Sequence, residues 1–459
     1  VPSTDPAALA ALRAVESELD TRWPENKIVK GLDRISALVH LLGDPQRTYP
    51  VLHIAGTNGK TSTSRMLDAL LTRLGLRTGR YTSPHLQLAT ERISVDGGPI
   101  SPELYVSTYR EVEPYVSMLD DRERAEGRPP LTKFEVLTAM AFAAFADAPV
   151  EAAVVEVGMG GSWDTTNVAD GRVAVICPIG VDHVEFLGSD IAGIAGEKAG
   201  IIKPGAIAVM GEQVPEAARV VLERCADVDA TVARQGSEFG VLEREIAVGG
   251  QRLALQGLGG VYDEIFLPLH GAHQARNASL ALAAAEAFFG AGAQKQLAID
   301  PVREAFASVT TPGRLERVRS APTVLVDAAH NEHGARALAT ALQDEFHFRR
   351  LVGVVGVLAG KDARGILAAL EPVVAEIVLT TNSSPRALDP DELAGIAKEV
   401  VGEDRIVVEP RLADAIETAV HLAERTEDPE EPVAGAGVVV TGSVVTAGDA
   451  RALFGKEPE

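Results

Sequence analysis

Between a short apolar run, residues 49–55, and a helical pattern that opens near Lys60, the chain reads His53-Ile54-Ala55-Gly56-Thr57-Asn58-Gly59-Lys60-Thr61-Ser62. Gly56 and Gly59 let the backbone curl until successive N–H groups point at one anion, and the helix start adds its positive dipole end. Lys60 supplies a cation, and the hydroxyl of Thr61 or of Ser62 can face a magnesium ion. Only Thr57 and Asn58 separate the two glycines, so this is a shortened form of the usual Gly-Lys loop. A glycine-rich helix cap that binds nothing is the bland alternative. A strand in front and a helix behind favour a nucleotide-triphosphate site.

Three further polar positions fall where apolar runs end, the edge at which open α/β sheets bind ligands. They are Ser83 in Tyr81-Thr82-Ser83-Pro84-His85-Leu86, Glu156 before Val157-Gly158-Met159-Gly160-Gly161, and the Asp182-His183 pair after Ile179-Gly180-Val181. Magnesium takes hard oxygen ligands and keeps waters, so Ser83 and Glu156 with phosphate oxygens form a candidate metal site. Histidine is an uncommon magnesium ligand, so His183 points either to a second cation or to an ordinary loop contact. Asp182 could equally cap the segment that follows. Lys198 and Lys203 lie in an apolar surround, 196–204. A lysine there snorkels to solvent or pairs with a carboxylate. With a depressed pKa it can instead react with carbon dioxide, giving a carbamate that binds metal.

To hold these positions the chain must alternate strands and helices, and it does: short β-branched runs alternate with amphipathic stretches. Residues 152–157, 173–179 and 207–210 read as further strands of the first sheet, with a small hairpin at 92–99. The helix from Lys60 sets Leu67, Leu70, Leu71 and Leu74 on one face and ends at Gly75. Residues 239–269 read as an antiparallel excursion, followed by helices at 274–289 and 301–309. Thr310-Thr311-Pro312-Gly313 reads as a linker. After it, strands at 323–327, 350–357, 376–381, 405–408 and 437–441 alternate with four helical stretches. The expectation is α/β: a P-loop-type, mostly parallel domain with helices on both faces over 1–311, and a smaller Rossmann-like domain over 312–459. The acidic stretch 427–431 reads as a solvated turn.

The chain has 459 residues, 46% of them apolar, enough for roughly two or three domains. Its 43 basic residues against 65 acidic leave a net charge of -22, which argues against a nucleic-acid or anionic-membrane surface. Cys177 and Cys225 are too few and too far apart for a disulfide framework and read as buried, as in a reducing cytoplasm. The apolar run 139–146 is too short to span a membrane. No Met precedes Val1, so a few native residues are expected before it or have been trimmed.

The phosphate loop, Thr82-Ser83-Pro84-His85-Leu86 and Glu156-Val157-Gly158-Met159-Gly160-Gly161 are followed in order by further motifs. These are Asp182-His183, Glu197-Lys198-Ala199-Gly200-Ile201, His273-Gln274 with Asn277, and Pro312-Gly313-Arg314-Leu315-Glu316. Asp327-Ala328-Ala329-His330-Asn331 and Thr441-Gly442-Ser443 complete the series. Together they resemble the folylpolyglutamate synthase and dihydrofolate synthase family of the Mur ligase superfamily. The resemblance implies an ATP-dependent ligase that activates a carboxylate as an acyl phosphate and adds L-glutamate to a reduced folate. Its alternative is addition of the first glutamate to dihydropteroate, or both activities in one chain. It implies that Gly56, Thr57, Asn58, Gly59, Lys60, Thr61 and Ser62 hold the ATP phosphates. Asn277, Arg314 and Asp327 would complete the nucleotide site, with His330 beside the phosphate path. Ser83, Glu156 and Thr61 would bind one Mg2+, Glu156 and His183 a second, and Lys198 would carry a carbamate. A cytoplasmic monomer is implied.

The sequence departs from the family at Ser162, where a basic residue is common, at Glu332, which replaces a proline, and at Gly360, which replaces an aspartate. A Mur enzyme of cell-wall synthesis would carry a further N-terminal domain, for which 55 residues before Gly56 leave little room. A non-catalytic nucleotide switch would need the loop but not Glu156, His183 and Lys198.

Overall fold

The computed structural model describes residues 5–23, 29–290, 292, 295–425 and 435–459; the acidic stretch 427–431 lies outside them. Its first sheet has eight strands: β1 (Val51–Ala55), β2 (Thr78–Tyr81), β3 (Ile93–Val95), β4 (Gly98–Pro99), β5 (Ala152–Glu156), β6 (Gly171–Ile176), β7 (Ile207–Met210) and β8 (Thr231–Arg234). Their order is β4-β3-β2-β5-β1-β6-β7-β8. From β2 to β8 neighbours run parallel, and β3 and β4 form the antiparallel hairpin at one edge. β1 and β5 are buried throughout, as central strands covered on both faces must be, and so read as apolar runs broken only by His53 and by Glu156 at the end of β5.

Alternate residues of these strands feed two different cores. Leu52, Ile54, Ala152 and Val154 pack with Met66, Leu67, Leu70 and Leu71 of the helix Lys60–Arg73 and with the helix Ala272–Phe289. Val51, Tyr81, Ala153 and Val155 pack on the opposite face, against the helices Asp33–Leu41, Pro102–Ala125 and Lys133–Asp147. The excursion is a three-stranded antiparallel sheet, β9 (Gly240–Ala247), β10 (Gly250–Gln256) and β11 (Val261–Leu267). It lies over the helix Ala272–Phe289, whose run of alanines lets sheet and excursion approach from both sides.

The C-terminal lobe holds β12 (Glu316–Ser320), β13 (Thr323–Val326), β14 (Arg350–Val355), β15 (Glu376–Leu379), β16 (Ile406–Val408) and β17 (Ala436–Thr441). The order is β12-β13-β17-β14-β15-β16, parallel except for the antiparallel edge strand β12. Helices Glu332–Glu345, Ala363–Leu370 and Pro390–Val400 cover one face, and Leu412–Glu424 and Val444–Leu453 the other. β2, β8 and β12 were not anticipated: each is short and carries Arg or Thr, so none shows as an apolar run.

Side-chain seams on two flanks join the lobes. Leu86 packs against the C-terminal core, and the neighbouring Gln87 bonds Arg451, a fully buried arginine paired with Glu316 at 2.7 Å. On the other flank Glu345, ending the helix Glu332–Glu345, takes His270 Nδ1 at 2.9 Å, the Gly271 N–H at 2.7 Å and Arg244 of β9.

A buried ion pair ties the loop helix to β2. Asp68 accepts Arg80 Nη1 at 3.0 Å and the Thr78 hydroxyl at 2.6 Å, while Arg80 Nη2 reaches Ser94 at 2.8 Å. Asp68→Ala leaves a buried guanidinium without its counter-ion and should cost about 3–5 kcal/mol. Urea denaturation of the two proteins measures this, and Asp68→Leu with Arg80→Met should recover much of the loss.

Candidate active site

The carboxyl edges of both parallel sheets open on one cavity of about 600 Å3. Gly56, Thr57, Asn58, Gly59, Lys60, Thr61, Ser62, Ser83, Glu156, His183, Lys198, Asn277, Arg314, Asp327 and His330 all line it. The residues singled out as chemically capable therefore meet in one place.

The loop after β1 is shaped by contacts that only glycine tolerates. Gly59 has φ +87°, and a Cβ there would stand 2.7 Å from Asn277 Oδ1; at Gly56 it would stand 2.5 Å from Cys177 Cβ. The segment after β6 stitches the loop down: the Thr57 N–H donates to Pro178 O at 2.9 Å, and the Thr57 hydroxyl donates to Gly180 O and accepts its N–H. Of the two candidate hydroxyls, Thr61 is the one turned to the carboxylate, 3.1 Å from each Glu156 oxygen. Ser62 is buried and accepts the Gln274 amide at 3.3 Å.

Lys198 sits on the buried face of the helix Ile191–Ala199, whose start is capped by Asp190. Its Nζ donates to Gly56 O at 2.9 Å, and Lys60 Nζ donates to the same oxygen at 3.1 Å. Burial and the charge of Lys60 push the Lys198 ammonium down to about 7. Burial pushes the Glu156 carboxyl up to about 7, against the pull of Lys60 and Thr61. His183, with φ +53°, is driven by burial down to about 3 and is a neutral imidazole with a free lone pair.

Asp182 caps no helix: His183 holds that position before Val184–Leu187, without a side-chain cap. Asp182 instead takes Lys361 Nζ at 2.7 Å and Asn331 Nδ2 at 2.9 Å, both from the C-terminal lobe. Burial opposes ionisation, but His330, His183 and Lys361 hold its carboxyl far below the usual range. Asp327 is engaged by backbone, accepting the N–H groups of Leu315 and Ala329 at 2.8 Å each, which fixes the turn that carries Arg314. His330 Nδ1 donates to Ala328 O at 3.0 Å. The Asn277 amide donates to Gln274 Oε1 at 3.1 Å.

The far end of the cavity is lined by Gln213, Gln235, Arg276 and His333, none of which the sequence singled out. Gln213 and Gln235 follow the ends of β7 and β8, so the strand-end rule would have reached them had β8 been recognised. Arg276 and His333 carry no such signal. Of the departures, Ser162 donates its hydroxyl to Glu197 O at 3.1 Å and packs on Gly200, joining the glycine turn after Glu156 to the Lys198 helix. Among the described residues no three of His, Cys, Asp and Glu gather closely enough to cage an ion by themselves. The donor set, one carboxylate with hydroxyls, suits magnesium completed by phosphate oxygens and water.

Residues 54–285 match the Mur ligase middle domain, and residues 313–444 match the Mur ligase glutamate ligase domain. A dihydrofolate synthase/folylpolyglutamate synthase of Mycobacterium tuberculosis is 61% identical over 99% of this chain and 96% of its own length. The chain belongs to that family of Mur ligases. Its members are ATP-dependent, amide-forming ligases, and so is this chain. A folylpolyglutamate synthase of Lacticaseibacillus casei is 32% identical, covering 91% of this chain and 93% of its own. The crystal structure of the Mycobacterium tuberculosis folylpolyglutamate synthase complexed with ADP and AMPPCP superposes with a TM-score of 0.93. It is 60% identical and covers 98% of this chain and 100% of its own. Escherichia coli FolC in complex with DHPP and ADP superposes with a TM-score of 0.82 at 29% identity, covering 98% of each chain.

The Glu156 carboxyl titrates near 7 in the folded chain against an ordinary 4.5. The folded chain therefore binds more protons between those values, and stability falls as pH rises through that window. Glu156→Gln removes this cost. At pH 8 the metal-free variant should be more stable by about 2–3 kcal/mol, with most of the gain gone at pH 5. Denaturant midpoints at the two pH values decide it; a gain equal at both would show that Glu156 carries no such strain.

Proposed function

We propose that the chain is a folylpolyglutamate synthase, which uses ATP to activate the γ-carboxylate of a reduced folate and joins it to the amine of L-glutamate. What carries this reading is the meeting of a phosphate loop, a buried carboxylate, a neutral histidine and a low-pKa lysine at one cavity between two lobes.

The loop amides and Lys60 take the triphosphate, with Asn277 and Arg314 completing the nucleotide contacts and Asp327 fixing the Arg314 turn. Gln213, Gln235, Arg276 and His333 face the adenosine. Thr61, Ser83, Glu156 and His183 would hold two magnesium ions, with a carbamate on Lys198 in support. When bound, the ions neutralise the repulsion between triphosphate and entering carboxylate. The folate carboxylate oxygen attacks the γ-phosphorus, the bond to the ADP oxygen breaks, and ADP leaves with that electron pair. The unprotonated glutamate amine then attacks the acyl carbon, and the carbon–oxygen bond to phosphate breaks as the amide forms. Lys60 and His330 line the phosphate path, and holding both substrates in line supplies much of the rate. The domain boundary falls near residue 311, so Thr310-Thr311-Pro312-Gly313 is the hinge on which the smaller domain closes. No helix among the described residues is long and apolar enough to cross a membrane, and both cysteines are buried and free; that the chain works as a cytoplasmic monomer is part of the proposal.

A second activity, glutamate onto dihydropteroate, is favoured by the double name of the Mycobacterium tuberculosis relative and by the DHPP complex of the Escherichia coli protein. Incubation with ATP, Mg2+, labelled glutamate and either tetrahydrofolate or dihydropteroate separates the two by product mass. ADP release should require both glutamate and a pteroyl acceptor; release indifferent to both would refute the ligase reading. Lys60→Ala should abolish it. Lys198→Ala should slow it by a factor of about 100, with partial rescue by a short carboxylic acid. Near-normal turnover in Lys198→Ala would remove the carbamate.

A further inference from the structure

One carboxylate at the cavity serves the contact between lobes rather than the phosphate loop. Asp182 lies on the N-terminal side, at the end of the turn that follows β6, with its side chain 9% exposed. Lys361, which follows β14 of the other lobe, places Nζ 2.7 Å from Oδ1. Asn331 places Nδ2 2.9 Å from Oδ2. The same Oδ1 also accepts the His183 N–H at 2.7 Å, across a residue with left-handed backbone. A β-carbon disfavours that conformation, so a specific bond is needed to hold it.

Asn331 extends the network. Its Oδ1 caps the helix Glu332–Glu345 through the Gly334 N–H at 2.8 Å, and its amide pairs with that of Asn58 in the phosphate loop, at 3.2 and 3.3 Å. Asn58 Nδ2 also donates to His333 Nδ1 at 2.8 Å. The turn 178–183 is thus fastened to the phosphate loop through Thr57 and Gly180, and to the C-terminal lobe through Asp182.

We propose that Asp182 is a positioning residue that couples lobe closure to the metal-side histidine: docking of Lys361 and Asn331 on its carboxylate sets the backbone of His183 in its working pose. A charged pair with little solvent around it is directional and costly to break from one side only, which is what a latch requires. Asp182 and Lys361 touch neither nucleotide nor acceptor in this scheme; they act through His183 and Asn58. The role given to His183 rests on the ligase reading, whereas the closure contact does not.

The test uses the full-length chain as Asp182→Asn, Lys361→Met, the double variant and Lys361→Arg. X-ray scattering without nucleotide or metal reads closure directly. The radius of gyration should rise in both single variants and in the double, and return toward the parent value in Lys361→Arg. Calorimetric titration with Mg2+ in the presence of AMPPCP should show weakening of roughly 10–100-fold in each single variant, and the double should lose no more than Asp182→Asn alone, because the Lys361 contact is already gone there. Unchanged scattering and unchanged Mg2+ affinity in Lys361→Met would overturn the proposal, as would independent, multiplying losses in the double. Lys361 makes no other side-chain bond among those described, so this arm stands even if Asp182→Asn fails to fold. A parent chain that binds Mg2+ and AMPPCP but makes no amide would instead fault the ligase reading, leaving the scattering arm intact.

Discussion

Two ammonium groups converge on the carbonyl oxygen of Gly56, Lys60 from the helix that opens the phosphate loop and Lys198 from a helix far along the chain. Like charges held that close in a buried site repel, and the repulsion has to be absorbed somewhere. Part of it is absorbed by Lys198 itself, whose ammonium is pushed down to about 7 by burial first and by Lys60 second, and so releases its proton easily. Part is offset by Glu156 and Asp182 on either side, one held above its ordinary range and the other below it. The arrangement is electrostatically strained without an anion and relaxed with one. Lys198 is thereby left ready to shed its proton and, on the proposed reading, to carry the carbamate that supports the cations.

That convergence dictates much of the architecture. Gly56 must end a central strand, since only there do a loop and two helices have access to the same carbonyl. β1 lies between β5 and β6, so the chain leaving β5 delivers Glu156 on one side and the chain leaving β6 delivers Asp182 and His183 on the other. Both of those strands enter long after β1 in sequence, β5 after a helical crossover and β6 after a loop with one 3-10 turn that passes from β5 over β1. The helix Ile191–Ala199 then lies across the same edge, and Ser162 and Gly200 pack closely enough to hold its C-terminal turn against the glycine run after Glu156. Small residues at these crossings are a packing condition on the position of Lys198, which is why the replacement of a common basic residue by Ser162 is compatible with the buried lysine.

How much of this is legible in the residues depends on whether a feature is local. The phosphate loop is local: two glycines, a lysine and a hydroxyl between a strand and a helix announce both its shape and its charge preference. Glu156 and His183 are nearly so, because strand ends can be read from where apolar runs stop. The parallel α/β architecture follows from the same runs. What cannot be read is which hydroxyl points inward, since Thr61 and Ser62 differ by one helical step and the choice is made by Gln274, two hundred residues on. Nor can β2 be seen, because its Arg80 is buried against an Asp68 that lies in a helix, or β8, an edge strand with one buried residue. Asp182 shows the limit most clearly. Its neighbour His183 draws attention, and a cap is the natural local use for an aspartate there, yet its partners Lys361 and Asn331 lie in another lobe.

The two lobes make contact through unlike materials, and the difference bears on function. The seam at Leu86 is closely packed, with Gly313 against the Leu86 side chain, Gly448 against its backbone and the buried Arg451 bonding Gln87 beside it, so it suits a pivot that stays in place. The seams at Asp182 and Glu345 are charged, and both include residues that flank the helix Glu332–Glu345 at its two ends. Polar contacts of this kind can be exchanged for water at modest net cost, whereas separating an apolar plug exposes its whole area. A lobe that must open for two substrates and close for two chemical steps would be expected to keep its apolar contact at the axis and place its ionic contacts where the distance changes most. Linker glycine Gly313 lies against Leu86, whereas the ionic seams are made by residues outside the linker, Asp182 with Lys361 and Glu345 with Arg244 and His270. The distribution of contact types is the one that the proposed closure about the 310–313 linker calls for.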